Sequence, residues 1–180
     1  GGVTEDTAVT DGQLTASGTL TVTDVDTGQA IFNTSVISQE GNLGTLEITD
    51  AGAWSYTLNN SQQVVQQLGD ADEITDTFTV KSIDGTAQEN IVITISGLND
   101  AAVISGDTVG NVIEDASNDL TDSGNLIIID ADAGESTFNT VVEKVGSELG
   151  DLSIDATGAW NYSLNNELEA VQALPDGETL

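Results

Sequence analysis

The sequence contains no cysteine and no histidine, and its only basic residues are Lys81 and Lys144. Without cysteine there is neither a disulfide framework nor thiol chemistry. Without histidine the commonest general base and transition-metal ligand is gone. A bound metal must then be held mainly by oxygen, which suits Ca²⁺ or Mg²⁺ and not zinc or copper. Serine and threonine are abundant, but no base stands ready to activate them. Paired carboxylates of the glycoside-hydrolysing kind need a cleft, and here they fall in repeated turns. The scarcity of basic residues leaves 31 acidic side chains against two and a net charge of −29. Nucleic acid and anionic membrane are excluded as electrostatic partners. No apolar run reaches membrane-spanning length, so membrane insertion is not expected, and no signal peptide is visible. The sequence opens on Gly1-Gly2 without methionine, and is read as a piece of a longer polypeptide.

So much acid is compatible with disorder. Against that, 38% of the residues are apolar, they alternate with polar ones, and the acids are spread over turn positions. The pattern also repeats. Gly18-Thr-Leu-Thr-Val-Thr-Asp24-Val-Asp26-Thr-Gly28 returns as Gly124-Asn-Leu-Ile-Ile-Ile-Asp130-Ala-Asp132-Ala-Gly134, and Gly52-Ala-Trp54-Ser-Tyr56-Thr-Leu58 returns as Gly158-Ala-Trp160-Asn-Tyr162-Ser-Leu164. Both matches have an offset of 106 residues, which marks a tandem array of whole domains and not a solenoid.

Most segments read as strands. Leu20 and Val22 alternate with threonine. Leu46 and Ile48 lead into the turn signal Asp50-Ala51-Gly52, after which Trp54, Tyr56 and Leu58 alternate. Phe78 and Val80 alternate, as do Ile91, Ile93 and Ile95. The exception is Ser61 to Gly69, where Val64, Val65 and Leu68 share a helical face, Ser61 can cap and Gly69 can terminate. Glu167 to Leu174 is its counterpart, stopped by Pro175. About seven short strands per hundred residues predict an all-β chain of tandem immunoglobulin-like β-sandwiches, each with one short helical turn. The expected division is 1–98 for the first repeat, 99–101 for a linker and 102–180 for the second. The second has a leader, Ala102 to Ile113, that the first lacks. It reaches Leu180 before any counterpart of the last two strands. It is therefore expected to be incomplete and to expose edges that invite self-association.

The acids form a constellation. Asp24 and Asp26, like Asp130 and Asp132, stand two apart where a strand runs out into a loop. Acids so spaced in extended chain point to one side and can face one cation. An EF-hand would need an oxygen ligand at the fifth position and glutamate at the twelfth. The residues there are Gly28 and Ser35, and Gly134 and Val141, so that reading fails. An ordinary polar turn remains open for one copy alone. Three more features weigh against it. Glu5-Asp6 returns as Glu114-Asp115; Asp72-Glu73 has Asp176 and Glu178 near the corresponding place; and Asp84-Gly85 closes a strand. Acids at the ends of sandwich strands gather at its two poles, where a divalent cation relieves their repulsion.

The motifs from Glu5 through Gly18–Gly28, Gly52–Leu58, Phe78-Thr-Val-Lys-Ser-Ile-Asp84-Gly85 and Gly97-Leu-Asn-Asp-Ala resemble the VCBS repeat. These are the cadherin-like, Greek-key tandem domains of very large bacterial adhesins, including RTX adhesins exported by type I secretion. The resemblance implies a non-catalytic, calcium-stabilised extender of a surface adhesin acting in cell adhesion or biofilm. Its location would be extracellular and its partners the neighbouring repeats. It also implies a ligand set for Ca²⁺: Glu5 and Asp72 or Glu73 from one pole of the first domain, Asn99 and Asp100 from the linker, Asp130 and Asp132 from the second domain. Asp24, Asp26 and Asp84 would form a half site facing a preceding domain. Glu114, Asp115, Asp176 and Glu178 would form the matching half in the second. Ala102 stands where such linkers usually have proline. The rival expectation is a module that recognises a glycan or a protein through Trp54-Tyr56 and Trp160-Tyr162. The exact repetition of these residues favours the core face of a hairpin instead, and burial of Trp54 is what would discriminate the two.

Overall fold

Two hydrophobic patterns of unequal completeness divide the chain, and the computed structural model resolves them as two compact units, Gly1–Asp100 and Ala101–Leu180. The structure describes residues 1–145, 149–175 and 178–179.

Unit 1 has seven strands: β1 (Gly2–Thr4), β2 (Gln13–Thr19), β3 (Phe32–Ser38), β4 (Thr45–Ile48), β5 (Ala53–Asn59), β6 (Glu73–Ser82) and β7 (Gln88–Ser96). They form two sheets, ordered β1-β7-β6-β3 and β2-β5-β4. All pairings are antiparallel except β1 on β7. This is the immunoglobulin-like sandwich that the alternation implies. Inward positions of both sheets meet in one core, including Leu14, Tyr56, Leu58, Phe78, Val80, Ile93 and Ile95, all at most 1% exposed. The β4–β5 hairpin falls where the turn signal puts it, with Ile48 opposite Trp54. Gly52 holds it at φ +87°, and a Cβ there would collide with the carbonyl of Leu20, so only glycine serves.

Two local expectations need correction. The strand foreseen over Leu20 and Val22 lies earlier, at β2, and buries Leu14. Leu20 and Val22 still pack on the core, but outside any strand. The helix is a single turn, α1 (Gln63–Gln66), whose N-cap is Gln62 and carries no side-chain cap bond. The Ser61 hydroxyl donates to Asn59 Oδ1 instead. Val65 is buried but Val64 is 49% exposed, because one turn has room for only a narrow inward face. Gln67, and not Gly69, closes the helix.

In unit 2 the described strands are β8 (Val103–Gly106), β9 (Asp119–Ile129), β10 (Asp151–Ile154) and β11 (Ala159–Asn165), followed by α2 (Glu169–Gln172). They make one sheet, β10-β11-β9-β8. Its β9–β11 register, Gly124 opposite Trp160 and Leu120 opposite Leu164, repeats that of β2–β5, Gly18 opposite Trp54 and Leu14 opposite Leu58. The buried apolar cluster among the described residues is small: Leu120, Leu164 and Val171.

Candidate metal centre

Each Asp-x-Asp turn is built by its own side chain. In unit 2, Oδ1 of Asp130 accepts from the amide of Asp132 at 2.9 Å, and the carbonyl of Asp132 accepts from the amide of Glu135 at 3.3 Å. In unit 1, Oδ1 of Asp24 accepts from the amide of Asp26 at 2.8 Å, and the carbonyl of Asp26 accepts from Gln29 at 3.2 Å. Self-bonded aspartates of this kind fold a turn without help from a cation. Up to that point the two turns are equal.

They part over two residues. Unit 2 has Glu135 and Ser136 where the 106-residue offset puts Gln29 and Ala30 in unit 1. The Ser136 hydroxyl accepts from the amide of Asp130 at 2.9 Å and clamps the turn. Glu135 adds a third carboxylate: one oxygen each from Asp130, Asp132 and Glu135 lie within 4.8 Å of one another. Among the described residues this is the one such group of three. Asp132 is 3% exposed, whereas Asp26 is exposed. Two oxygens bound to one Ca²⁺ at about 2.4 Å are at most about 4.8 Å apart, so this all-oxygen set fits a hard divalent cation. Glu135 did not emerge from the sequence. Its counterpart is a glutamine, so pattern matching between repeats passes over it.

The residues expected at the junction end of unit 1 share a backbone knot. Glu5 is 1% exposed; its amide donates to the carbonyl of Ser96, and its Oε1 accepts from the amide of Leu98 at 2.8 Å. The carbonyl of Asp72 accepts from the amide of Gly97, and Asp72 Oδ2 accepts from Gly69. Glu73 lies opposite Ser96 and is exposed. Asn99 donates through Nδ2 to the carbonyl of Asp100. The termini of β1, β6 and β7 thus bring Glu5, Asp72 and Glu73 to one end of the sandwich.

At the other end, the turn after β6 is tied to the chain entering β3 by the Ile83 amide on the Ile31 carbonyl. Asp84 is exposed there, and hydrogen bonds from Ser82 and Thr86 hold its pKa below the ordinary aspartate value. Asp24, Asp26 and Asp84 do not form a three-carboxylate group as tight as that in unit 2. In unit 2, Glu114 is half-buried. Asp115 accepts from Asn166 and Gln172, bonds that lower its pKa. Asp6 does the same with Asn60 and Gln66 in unit 1. Both acids tie the turn that carries them to the asparagine before a helical turn and to the glutamine that ends it. Glu178 is exposed, and Asp176 lies outside the described residues.

Another residue that the sequence reading passed over is Asp76, 1% exposed. It accepts from Leu43 and Gly44 amides at 2.9 and 2.7 Å and from the Tyr56 hydroxyl at 2.7 Å. Burial and this bond to a carboxylate drive the Tyr56 pKa up. The signal was there: an acid in phase with the inward Phe78 and Val80. The tryptophans lie on glycine. A Cβ on Gly18 would come within 2.6 Å of the Trp54 ring, and one on Gly124 within 2.5 Å of Trp160. Trp54 is half-buried and Trp160 is 8% exposed.

A two-sheet sandwich with acidic turns at its strand ends defines an immunoglobulin-like β module. The chain belongs to the family of the bacterial cadherin-like domain, whose family model matches residues 1–97. No curated protein matches the chain. Domains of this family are extracellular, adhesin-type modules, generally structural and not catalytic, and they typically bind calcium. Among the described residues no helix is long and apolar enough to cross a membrane.

Proposed function

We propose that the chain is a calcium-stabilised extender of a bacterial surface adhesin of the VCBS and RTX type, exported by type I secretion and serving attachment or biofilm. The observation that carries this reading is the convergence of Asp130, Asp132 and Glu135 within 4.8 Å, in a chain of net charge −29. Calcium would neutralise that cluster and draw on Glu5, Asp72, Glu73, Asn99 and Asp100 as its ligands from the preceding repeat. Asp24, Asp26 and Asp84 would serve a repeat before the first, and Glu114 with Asp115, Asp176 and Glu178 one after the second. The effect is mechanical: a junction that swings without ion becomes stiff with it. Extracellular calcium modules bind with dissociation constants of about 10⁻⁴ to 10⁻³ M. At about tenfold excess over that value, each site stabilises the bound form by about 1.4 kcal/mol.

The test is thermal unfolding in millimolar calcium and in chelator, with small-angle scattering on the same samples. A higher Tm and a narrower distribution of end-to-end distances in calcium support the proposal. Identical curves in both buffers end it.

A further inference from the structure

The two outer faces of unit 1 differ. Outward positions of β2, β5 and β4 carry polar or small side chains and Glu47, with no large aliphatic among them. The outer face of β7, β6 and β3 carries the exposed Val92 and Ile37. Val92 lies opposite Thr77, and Ile37 opposite Thr79. Thr75, Thr77 and Thr79 form the middle row of this face, because they alternate with the buried Asp76, Phe78 and Val80.

The outward positions of these three strands hold two charged side chains, at opposite ends of β6. Glu73 is exposed at one end and Lys81 half-buried at the other. The cross-strand neighbours of Lys81 are Gln88 and Asn33. Among the described residues Lys144 is ion-paired, with Asp151 at 2.7 Å, and Lys81 is not. Glu73 and Lys81 stand four residues either side of Thr77, about 14 Å each way along an extended strand. The face is therefore complementary in charge to its own reversed image.

We propose that this face binds the same face of a second copy of the chain, with a two-fold axis crossing the strands at Thr77. The axis lies between the two sheets, so β6 runs over β6 of the other copy in the opposite direction. Glu73 of each copy meets Lys81 of the other, and Val92 meets Val92 at the centre. An axis along the strands would set Glu73 on Glu73 and Lys81 on Lys81, and is disfavoured for that reason. The net charge of −29 opposes any close approach. At about 0.15 M salt, however, charges more than about 8 Å apart are largely screened. The patch is three strands wide, at about 4.8 Å each, and about 27 Å long. That is less than the roughly 800 Å² per partner of a stable complex, so the pairing is weak and shows itself at high concentration. Glu73 is also among the residues offered to calcium above. The experiment is therefore run in chelator, where failure bears on the pairing and leaves the ion site untouched.

Sedimentation equilibrium of the 180-residue protein, up to about 1 mM, measures the association. The average mass should rise with concentration towards that of a dimer. Lys81→Glu and Glu73→Lys should each weaken pairing at least about tenfold, since each sets like charges together twice. An equimolar mixture of the two variants should restore it, because every glutamate then meets a lysine. Glu73→Lys also makes the chain less acidic. General charge repulsion therefore predicts stronger association for that variant, and the proposed contact predicts weaker. Amide shifts on concentrating the labelled protein should fall in β6 and β7, and spectra of the dilute variants check that unit 1 stays folded. A wild-type chain that remains monomeric overturns the proposal. So does association that is strongest in Glu73→Lys, or a mixture that pairs no better than either variant alone. Shifts confined to unit 2 overturn it in favour of another surface.

Discussion

Residues 32–38 and 138–144 begin with the same three side chains, Phe-Asn-Thr. The first segment is strand β3 and the second is not a strand. The difference lies in the neighbour. β3 is held by β6 on its edge, and no described residue of unit 2 plays the part of β6. The reverse contrast occurs at the start of each repeat. Leu20 to Thr23 are coil, whereas their counterparts Leu126 to Ile129 are the second half of β9, because β8 pairs with them. A strand is a property of a pair: an isolated ladder leaves its amides to water and stabilises nothing. Burial follows the same logic. Thirteen apolar side chains close the core of unit 1, against three in the cluster formed by the described residues of unit 2. Near 25 cal/mol per Å² of apolar surface removed from water, that asymmetry decides which unit holds its shape.

The largest expected consequence is in hydrogen exchange. Amides of Val80 and Ile93 in unit 1 should exchange only through global opening, while those of Tyr162 and Leu164 open locally. We expect protection to differ by about a thousandfold, equivalent to about 4 kcal/mol. Equal protection in the two units would break the comparison at its root.

A smaller effect isolates the buried carboxylate. Asp76→Ala strands a hydroxyl and two amides in the core, and should destabilise unit 1 by about 3 kcal/mol. Tyr56→Phe removes one of the three bonds and should cost about 1 kcal/mol. The matched change Tyr162→Phe in unit 2 should stay within about 0.5 kcal/mol. Urea unfolding followed separately for the two units measures all three. A Tyr162→Phe effect as large as that of Tyr56→Phe would show that unit 2 already holds an acceptor.

The two acidic turns sharpen the comparison further. Glu135→Gln gives unit 2 the residue that unit 1 has at Gln29. Calcium affinity should fall about tenfold, about 1.4 kcal/mol, with the turn intact because its hydrogen bonds come from Asp130 and the backbone. Gln29→Glu should strengthen binding in unit 1 by less, since Ala30 provides no hydroxyl to clamp the turn as Ser136 does. Calorimetric titration of both variants checks this. An unchanged Glu135→Gln titration would remove Glu135 from the ligand set.

How much of this was readable beforehand differs by feature. The repeat offset, the β4–β5 hairpin, the strands over Phe78–Val80 and Ile91–Ile95 and both helical turns were legible, because each rests on local periodicity. The place of β2 was not, since Leu20-Thr-Val22 alternates as well as Gln13–Thr19 does and only pairing with β5 chooses between them. Ser61 looked like a cap because serine often is one; the structure spends its hydroxyl on Asn59. Asp76 was missed because an acid inside an apolar strand contradicts the usual burial pattern, and only the convergence of Tyr56, Leu43 and Gly44 makes it tolerable. Glu135 was missed because repeat matching rewards what two copies share, and this carboxylate is where they differ.

The smallest predicted effect concerns acid. The β10–β11 turn has Asp155 where the β4–β5 turn has Thr49. Each side chain accepts from the amide four residues on, Ala159 and Ala53 respectively, at 3.1 Å. Asp155 also accepts from the side chain and amide of Thr157, and these bonds hold its pKa below the ordinary aspartate value. A carboxyl whose pKa is depressed by folding stabilises the turn at pH values above its unfolded pKa. That contribution disappears as pH falls through the lower, folded value. The amides of Thr157 and Ala159 should therefore shift in one step centred below the pKa of an unperturbed aspartate, while the amide of Ala53 in unit 1 shows no such step. Asp155→Thr should abolish the step and leave a hairpin that behaves in acid as β4–β5 does. A step at Ala159 that survives the substitution would mean that another group titrates there, and that the two turns differ by more than one side chain.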